Sequence, residues 1–392
     1  MAQATREQET DFRKENIISE FTQKQFNKDA ISVIAFLIIV FVLFRLLALQ
    51  VPDQYNELAF WTNVGTEIIG VIVTIVFVNR YQERRAKEQL ARELVAAVRY
   101  GGPSNAQQAL AIMRTYDAQY GWYSGTNSLL RKIDLHGANL ESVDFSKANL
   151  EESNLFFTNL KNANLSEAKL DSSDFYRCNL EGAKLRQARL QHSALIEANV
   201  INSDFYAADL RGIYLRGTSL EGAMLRASNL ENARLLNADL EAADLTSANL
   251  EGANLTNAYL ALANLTDAYL ANANLFGAEF TEANLTLCEL KGADMREAQL
   301  SDAKMLNTGL ELADLRKANL VGADLTDSIL AGADLRDSLL DDVDFQNAVF
   351  TEASLLPNGN NYDPNQGFEQ LLKFTNTKHK DFWEPDWIKN EY

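Results

Sequence analysis

Large apolar residues recur at every fifth position from Leu135 to Leu355, and most of them are leucine. The residue two positions before each of them is usually alanine or another small residue. A period of five would scatter the leucines around an α-helix and would alternate them between the two faces of a strand. The chain must therefore turn once per repeat. We predict a solenoid with two inward side chains per repeat and coils stacked at about 4.8 Å.

Asparagine or aspartate commonly stands between the small and the large residue, as in ADLTS, ANLEG and ANLTN. This A(D/N)LXX pattern resembles the pentapeptide-repeat family. The resemblance implies an all-β solenoid, a right-handed quadrilateral β-helix, over residues 133–356, with Leu150 stacked on Leu170. Four pentapeptides per coil give about eleven coils, and we expect no break in their register.

Two apolar segments precede the repeat, at residues 30–49 and 58–78. Each is long enough to cross about 30 Å of hydrocarbon as a helix. The polar segment at residues 1–29 and the lack of a small-residue cleavage site argue against a cleaved signal peptide. We predict an N-terminal α-helical transmembrane hairpin at residues 30–79, so the lipid bilayer is an expected partner.

Basic residues flank the predicted hairpin on one side only, and its connecting loop has none. Positively charged flanks remain on the cytoplasmic side of a membrane. We therefore expect both termini and the solenoid to be cytoplasmic, and the resemblance places the hairpin in a bacterial inner membrane. The flanking cations are Arg6, Arg13, Lys14, Lys24 and Lys28 before it and Arg80, Arg84, Arg85 and Lys87 after it.

Two ionisable residues, Arg45 and Glu67, lie inside the predicted spans. Arg45 is near a helix end, where its side chain can reach the interface. Glu67 shares one helical stripe with Asn63, Gly70 and Thr74, which is typical of a packing or oligomerisation face. The alternative is an ion path, which would make the protein an accessory subunit of a channel or transporter.

The segments on either side of the repeat are predicted to cap it. Residues 80–132 should form a juxtamembrane stalk, a break at Gly101–Pro103, and a second helix in a cap at residues 104–132. Residues 357–392 should form a C-terminal cap, helical near Phe368–Phe374 and rich in aromatic residues. The predicted fold is therefore a β-helix with short helical caps at both ends.

The repeat contains 35 Asp and Glu against 17 Lys and Arg, within a chain of net charge -18. This acidity argues against a nucleic-acid partner and favours a basic one. Cys178 and Cys288 occupy small inward positions, where we expect them to be buried. No nucleophile motif, phosphate loop or metal-ligand set interrupts the repeat, so we expect no enzyme and no cofactor. We expect Asp341 and Asp342 to be solvated.

Residues twenty apart should stack as ladders on the outside of the solenoid. One such column runs from an apolar strip into a basic strip and is a candidate partner face. The column predicts a non-catalytic interaction scaffold for an unknown protein partner, with a homo-oligomer as a further possibility. The alternative is gyrase binding by DNA mimicry, which the family resemblance suggests. The candidate face comprises Phe156, Tyr176, Ile196, Leu236, Phe276, Arg296, Arg316 and Arg336.

Overall fold

This computed structural model describes residue 42 and residues 57–389, with the side chains of residues 57–64 and 68 outside the description. The chain divides into two compact units, Met1–Ala86 and Lys87–Tyr392. The first predicted span, with Arg45, lies outside the described residues apart from Val42. Helix α1, Glu57–Tyr100, contains the second predicted span and continues through the predicted stalk.

No helix in the part of the chain whose side chains are described is long and apolar enough to cross a bilayer, so the predicted hairpin has no structural support. The predicted break after the stalk is confirmed, because α1 ends at Tyr100 and helix α2 spans Gly102–Thr115. Gly101 is the N-cap of α2, and a one-turn helix α3, Asp117–Tyr120, follows.

The repeat folds as a four-sided β-helix whose coils contain twenty residues. Parallel bridges join each residue between a small and a large inward position to the residue twenty further on, from Asp134 and Asn154 to Ile329 and Val349. Each side of a coil contributes one such bridge residue, and a two-residue turn makes each corner. The predicted coil length is therefore confirmed.

In a repeat with Asn or Asp at the bridge position all five backbone N–H groups have an acceptor, as residues 253–257 illustrate. Asn254 N–H donates to Ala233 O in the coil below at 2.9 Å, and Leu255 N–H donates to Asn274 O above at 2.7 Å. Ala253 N–H closes the turn at 3.0 Å, and Asn257 N–H donates to the coil above at 2.9 Å. Thr256 N–H donates to Oδ1 of Asn254 at 3.0 Å. The Asn/Asp position is therefore explained by an Asx turn at the corner.

The interior is filled by the two inward residues of each repeat, which are almost completely buried, as Ala253 and Leu255 are. Burying a leucine side chain stabilises the fold by about 1.5–3 kcal/mol. Where serine or threonine replaces alanine, its hydroxyl donates to a backbone carbonyl, as Thr158 does to Leu135 O at 2.8 Å. Cys178 and Cys288 are buried, as predicted.

Each corner places its second turn residue in the left-handed region, with φ between 52° and 71° from Lys132 to Asn347. This conformation costs a non-glycine residue about 1–2 kcal/mol, except that asparagine and aspartate tolerate it better. Glycine, asparagine and aspartate are accordingly frequent at this position. The same position holds Phe157, Leu262, Leu287 and Leu312, whose large apolar side chains gain nothing from that geometry.

The prediction of an unbroken register up to Leu355 is wrong by one residue. The bridge from Asp334 goes to Leu355, twenty-one residues on, and Leu356 takes the inward position with an exposed fraction of 2%. One extra residue therefore enters the last coil after Phe350. Ser354 occupies the small inward position, and its hydroxyl donates to Leu330 O at 2.8 Å. Sequence periodicity missed the shift because Leu355 and Leu356 are adjacent leucines.

The N-terminal cap begins earlier than predicted. Leu94 and Val98 of α1 are buried with Leu110 and Met113 of α2 in the apolar cluster that continues into the solenoid. The end of α1 is therefore part of the cap and not a solvated stalk. Arg99 at the end of this helix forms an ion pair with Asp134 of the first coil.

The C-terminal cap contains a 3₁₀-helix, Gly367–Leu371, and helices α4, Leu372–Thr375, and α5, Asp386–Lys389. The helical segment and the aromatic cap that the sequence predicts are both present. The Phe374 and Trp383 rings have centroids 5.6 Å apart, and Trp387 Nε1–H donates to Asp337 O at 3.0 Å.

Asp341 is only partly solvated, in contrast to the prediction, because it lines a cavity of about 40 Å³ beneath this cap together with Trp383 and Glu384. Burial, followed by the charges of Glu384 and Asp342, raises the pKa of the Asp341 carboxyl above its usual range. The folded chain therefore favours protonated Asp341 more strongly than the unfolded chain does. Its contribution to stability is complete below the unfolded value of about 3.9 and is lost as the pH rises through the folded value.

The Asp341→Asn variant should therefore unfold at a higher temperature than the wild type at neutral pH, since it removes a partly buried charge that lies close to the charges of Glu384 and Asp342. The difference should shrink towards about pH 3, where Asp341 is protonated in both states. Thermal unfolding followed by circular dichroism at both pH values measures this. Asp342→Asn is the matched control, because Asp342 is exposed, and an equal gain in that variant would contradict the assignment.

Candidate interaction surfaces

The predicted partner column lies on one corner of the β-helix, where each member is the first of the two turn residues. Its members stack twenty apart, as the bridges require, and corner amides join neighbouring coils: Gly137 N–H donates to Phe156 O at 2.9 Å. Most of these side chains are half-buried against their neighbours. The column is therefore a continuous ladder along the solenoid.

The apolar part of the ladder forms an aromatic cluster, which we call the aromatic corner: His136, Phe156, Phe157 and Tyr176. The Phe156 and Tyr176 rings have centroids 4.7 Å apart, and Phe156 and Phe157 meet edge-to-face at 5.0 Å. Phe157 is 47% exposed although it is a large apolar residue in the left-handed region. The prediction missed Phe157, which reading the second turn residue of each corner would have found.

One ion pair lies beside the aromatic corner and joins the coil of Tyr176 to the next coil. Arg177 Nε–H donates to Glu197 Oε2 at 2.7 Å, and the guanidinium also lies 5.1 Å from the centroid of the Tyr176 ring. The hydrogen bond and charge of Arg177 lower the pKa of Glu197, against its desolvation. The corner thus presents stacked rings beside a neutralised ion pair, a combination that suits burial against a protein surface.

The basic part of the predicted face is not a free cationic strip. Each arginine forms a two-pronged ion pair with the aspartate two positions before it, at Nη2–Oδ2 distances of 2.6–2.7 Å. Two of the arginines also approach the aspartate of the following coil, at 3.7 Å. We call this arrangement the Asp–Arg ladder: Asp294, Arg296, Asp314, Arg316, Asp334 and Arg336.

The hydrogen bonds of the Asp–Arg ladder affect the ionisation of its aspartates. The side-chain hydrogen bond from Arg296 is the main reason that the pKa of Asp294 lies below its usual range. Burial acts in the opposite direction on Asp334, but hydrogen bonds from Arg336 also hold its pKa low. Both carboxylates stay charged near neutral pH and offset the arginine charges.

The remaining members of the predicted face lie between these two parts. Leu236 is half-buried, and Phe276 is packed under the Arg296 guanidinium, which lies 5.5 Å from its ring centroid. Ile196 is also half-buried, above Tyr176. None of the three is an exposed anchor of the kind that Phe157 provides.

Part of the predicted transmembrane packing stripe lies in α1. Thr74 Oγ1–H donates to Gly70 O at 2.8 Å, and apart from the adjoining helix no atom of the described residues lies within 4 Å of where a Gly70 Cβ would stand. Glu67 and Thr74 are exposed within the described unit. The side chain of Asn63 and all of Arg45 lie outside the described residues, so the packing role of the stripe stays a prediction.

The two cysteines of the solenoid, Cys178 and Cys288, are poorly placed for reactive chemistry. Burial raises the pKa of the Cys288 thiol to about 12 and raises that of Cys178 as well. Both thiols donate to backbone carbonyls, Cys288 to Leu265 O at 2.8 Å. Within the described residues no three His, Cys, Asp or Glu side chains are grouped so that they could hold a metal ion.

Comparison with known proteins identifies the class of this chain. The model described as pentapeptide repeats (8 copies) matches residues 126–155, 223–261, 263–298, 293–330 and 328–356. The model described as pentapeptide repeat region matches residues 156–225. Together they span more than half of the chain, which therefore belongs to the pentapeptide-repeat family and folds as a right-handed β-helix.

Several solved structures of pentapeptide-repeat proteins are similar to this chain. HetL of the cyanobacterium Nostoc sp. strain PCC 7120, involved in heterocyst differentiation regulation, is 30% identical over 64% of this chain and 98% of its own, with a TM-score of 0.35. A protein from the cyanobacterium Cyanothece 51142 is 29% identical over 24% of this chain and 63% of its own, with a TM-score of 0.24. QnrB1, a plasmid-mediated fluoroquinolone resistance protein, is 19% identical over 47% of this chain and 86% of its own, with a TM-score of 0.24. No curated protein matches the chain.

Removing the carboxylates of the Asp–Arg ladder should convert it into an anion-binding strip. The variant with asparagine at positions 294, 314 and 334 should be retained on a heparin column that the wild type passes through at low salt, because its arginines lose their partners. The control is the variant with asparagine in place of Asp239, Asp302 and Asp327, which has the same net charge. Equal retention of both variants would contradict the neutralising role of the ladder.

Proposed function

We propose that the protein is a non-catalytic interaction scaffold that uses its solenoid to hold a protein partner at the aromatic corner. The stacking of Phe156, Phe157 and Tyr176 on an exposed corner carries this proposal. Aromatic side chains dominate the energetics of protein interfaces, particularly when they cluster. A solenoid also provides the rigid backbone that such a cluster needs in order to bind without losing conformational entropy.

The placement of the aromatic corner supports a docking role over simple ladder packing. Ladder packing accounts for Phe156 and Tyr176, whose rings cover each other in successive coils. It accounts for Phe157 only in part, because this residue meets Phe156 edge-to-face but is nearly half exposed and has a left-handed backbone. A residue that is costly in the free protein is explained if a partner covers it.

The proposal also includes a membrane tether at residues 30–78. Its support is the length and apolar character of the two segments and the cations on one side of them. In α1 the run Val71–Val78 carries several exposed apolar side chains, among them Ile72, Ile75 and Phe77 at 52–54%. An apolar helix surface of this kind is stable when hydrocarbon or another apolar surface covers it.

DNA mimicry directed at gyrase is the second candidate, because the solenoid has a large excess of acidic residues. A duplex mimic needs a continuous acidic surface that repeats the phosphate charge. The Asp–Arg ladder interrupts that surface with alternating charges on one corner. The interaction-scaffold proposal is therefore preferred.

The aromatic corner is tested by changing Phe156, Phe157 and Tyr176 together to serine in the tagged full chain. The amount of the main protein that copurifies with the chain should fall at least about tenfold, since clustered aromatic anchors commonly contribute more than 1.4 kcal/mol to binding. The control changes Tyr206, Tyr259 and Tyr269 to serine, because these are exposed tyrosines elsewhere on the solenoid. Quantitative mass spectrometry measures both, and an unchanged partner set in the first variant would count against this corner.

The tether is tested separately by fractionation. The full chain should remain in the membrane pellet after alkaline carbonate extraction, whereas residues 87–392, which form a compact unit, should appear in the supernatant. The physical reason is that extraction at high pH removes peripheral proteins but leaves segments buried in hydrocarbon. Release of the full chain by carbonate would remove the tether from the proposal and leave the aromatic corner unaffected.

A further inference from the structure

Arg216 is an unpaired arginine on the same edge of the β-helix as the aromatic corner. The solenoid contains eleven arginines from Arg131 to Arg336. Nine of them form an ion pair, and Arg234 lies 4.7 Å from the centroid of the Tyr214 ring. Arg216 is the exception, because its side chain is exposed and has no ion pair, hydrogen bond or ring contact among the described residues.

The missing ion pair has a cause in the sequence. In the Asp–Arg ladder, Arg296 pairs with Asp294, two positions before it, and the bridge residue eighteen positions after it is also an aspartate. The residues at the corresponding positions around Arg216 are Tyr214 and Arg234, which contact each other. Both bridge positions that supply a carboxylate to the ladder arginines therefore lack one at Arg216.

Glu197 is the carboxylate on this edge one coil before Arg216, and it already has partners. It accepts Nε–H of Arg177 at 2.7 Å and the hydroxyl of Tyr176 at 3.3 Å. The pKa of Glu197 is lowered mainly by the Arg177 hydrogen bond, against desolvation, and only to a smaller extent by the charge of Arg216. Two arginines thus share one carboxylate, which leaves an excess positive charge beside the aromatic rings.

The unpaired cation lies at a defined distance from these rings. Arg216 is two coils beyond Tyr176, with the half-buried Ile196 between them. At about 4.8 Å per coil, the two positions are roughly 10 Å apart along the edge. An α-helix places residues i and i+7 on one face about 10.5 Å apart. A strand repeats one face about every 6.7 Å, so none of its residues on that face falls near 10 Å.

We propose that the partner lays an amphipathic α-helix along this edge, with apolar side chains against Phe157 and Tyr176 and an Asp or Glu two turns further on that pairs with Arg216. The inference rests on the proposed function of the aromatic corner and adds the chemistry of the partner. Aromatic residues and arginine are enriched among the anchors of protein interfaces. A helix bound through one face presents such anchors at i, i+3 or i+4, and i+7.

A library of helices tests the proposed pattern. Alanine-based helices are displayed on phage with positions i−4, i, i+3 and i+7 randomised, and are selected on the immobilised full chain. Selection should enrich apolar residues at the first three positions and Asp or Glu at i+7. Selection on Arg216→Gln should keep the apolar preference and lose the acidic one. Arg226→Gln is the matched control, because Arg226 is an exposed arginine on another edge, and both preferences should remain.

A selected helix, made as a fluorescein-labelled peptide, measures the contribution of the acid. Fluorescence anisotropy should show about three- to tenfold weaker binding when its glutamate at i+7 is changed to glutamine. Arg216→Gln should cause the same loss with the glutamate peptide, and both changes together should weaken binding no further than either alone. The difference between the two peptides should shrink in about 0.5 M salt, because salt screens exposed charges.

Two measurements separate docking from a structural role of Arg216. Arg216→Gln should unfold at the same temperature as the wild type in circular dichroism, because the side chain makes no hydrogen bond or ion pair within the described residues. Arg216→Glu should bind a peptide with lysine at i+7 more tightly than the glutamate peptide, which reverses the preference of the wild type. Equal weakening of both peptides would contradict the proposed ion pair.

Failure of this inference is distinguishable from failure of the proposed function. Selected helices that depend on Phe156, Phe157 and Tyr176 but have no acid at i+7 would overturn the acidic partner and leave the aromatic corner intact. Helices that bind the serine variant of the aromatic corner as tightly as the wild type would overturn both. A selection that enriches no helix would overturn the helical partner. A concentration-dependent dimer in sedimentation that Arg216→Glu abolishes would make a second copy of the chain the occupant instead.

Discussion

The structure depends on one constraint, which is that five backbone N–H groups must find acceptors in every five-residue repeat. Two of them donate to the coils above and below from the flat side, one closes the turn, and one donates to the next coil from the corner. The fifth donates to an Asn or Asp side chain in the repeats that have one at the bridge position. Because these backbone bonds join each coil to the coils on either side, an inserted loop or a proline would leave groups unsatisfied in the neighbouring coils as well. This explains why the solenoid is so regular.

The same constraint determines where function can be located. The interior is filled by one large and one small side chain per repeat, so it contains no substrate-sized cavity between the caps, as far as the described residues show. The flat sides carry the Asn/Asp positions that serve the Asx turns. Only the turn residues and the occasional bridge residue are free to vary, and both candidate surfaces are built from them.

The sequence was sufficient to predict the coil length, the inward residues and the ladders, because each follows from a strict period. The sequence was insufficient where one hydrophobic pattern is compatible with two structures. The one-residue shift after Phe350 is hidden by two adjacent leucines, and the capping role of Leu94 and Val98 is hidden because a stalk and a buried helix have similar patterns. The pairing of Arg316 with Asp314 does not follow from the period of either column, because it joins residues of two neighbouring columns of the solenoid.

The deviations from the repeat are more informative about function than the repeat itself. A ladder residue such as Phe156 is stabilised by its neighbours, so its presence needs no partner. Phe157 and Leu312 instead occupy positions where the backbone favours glycine or asparagine, and their side chains are exposed. Ring contacts inside the aromatic corner stabilise one side of Phe157, and a contact outside the chain would stabilise its exposed side as well. In a fold this regular, the cost of each such residue can be assessed directly against dozens of equivalent corners in the same molecule.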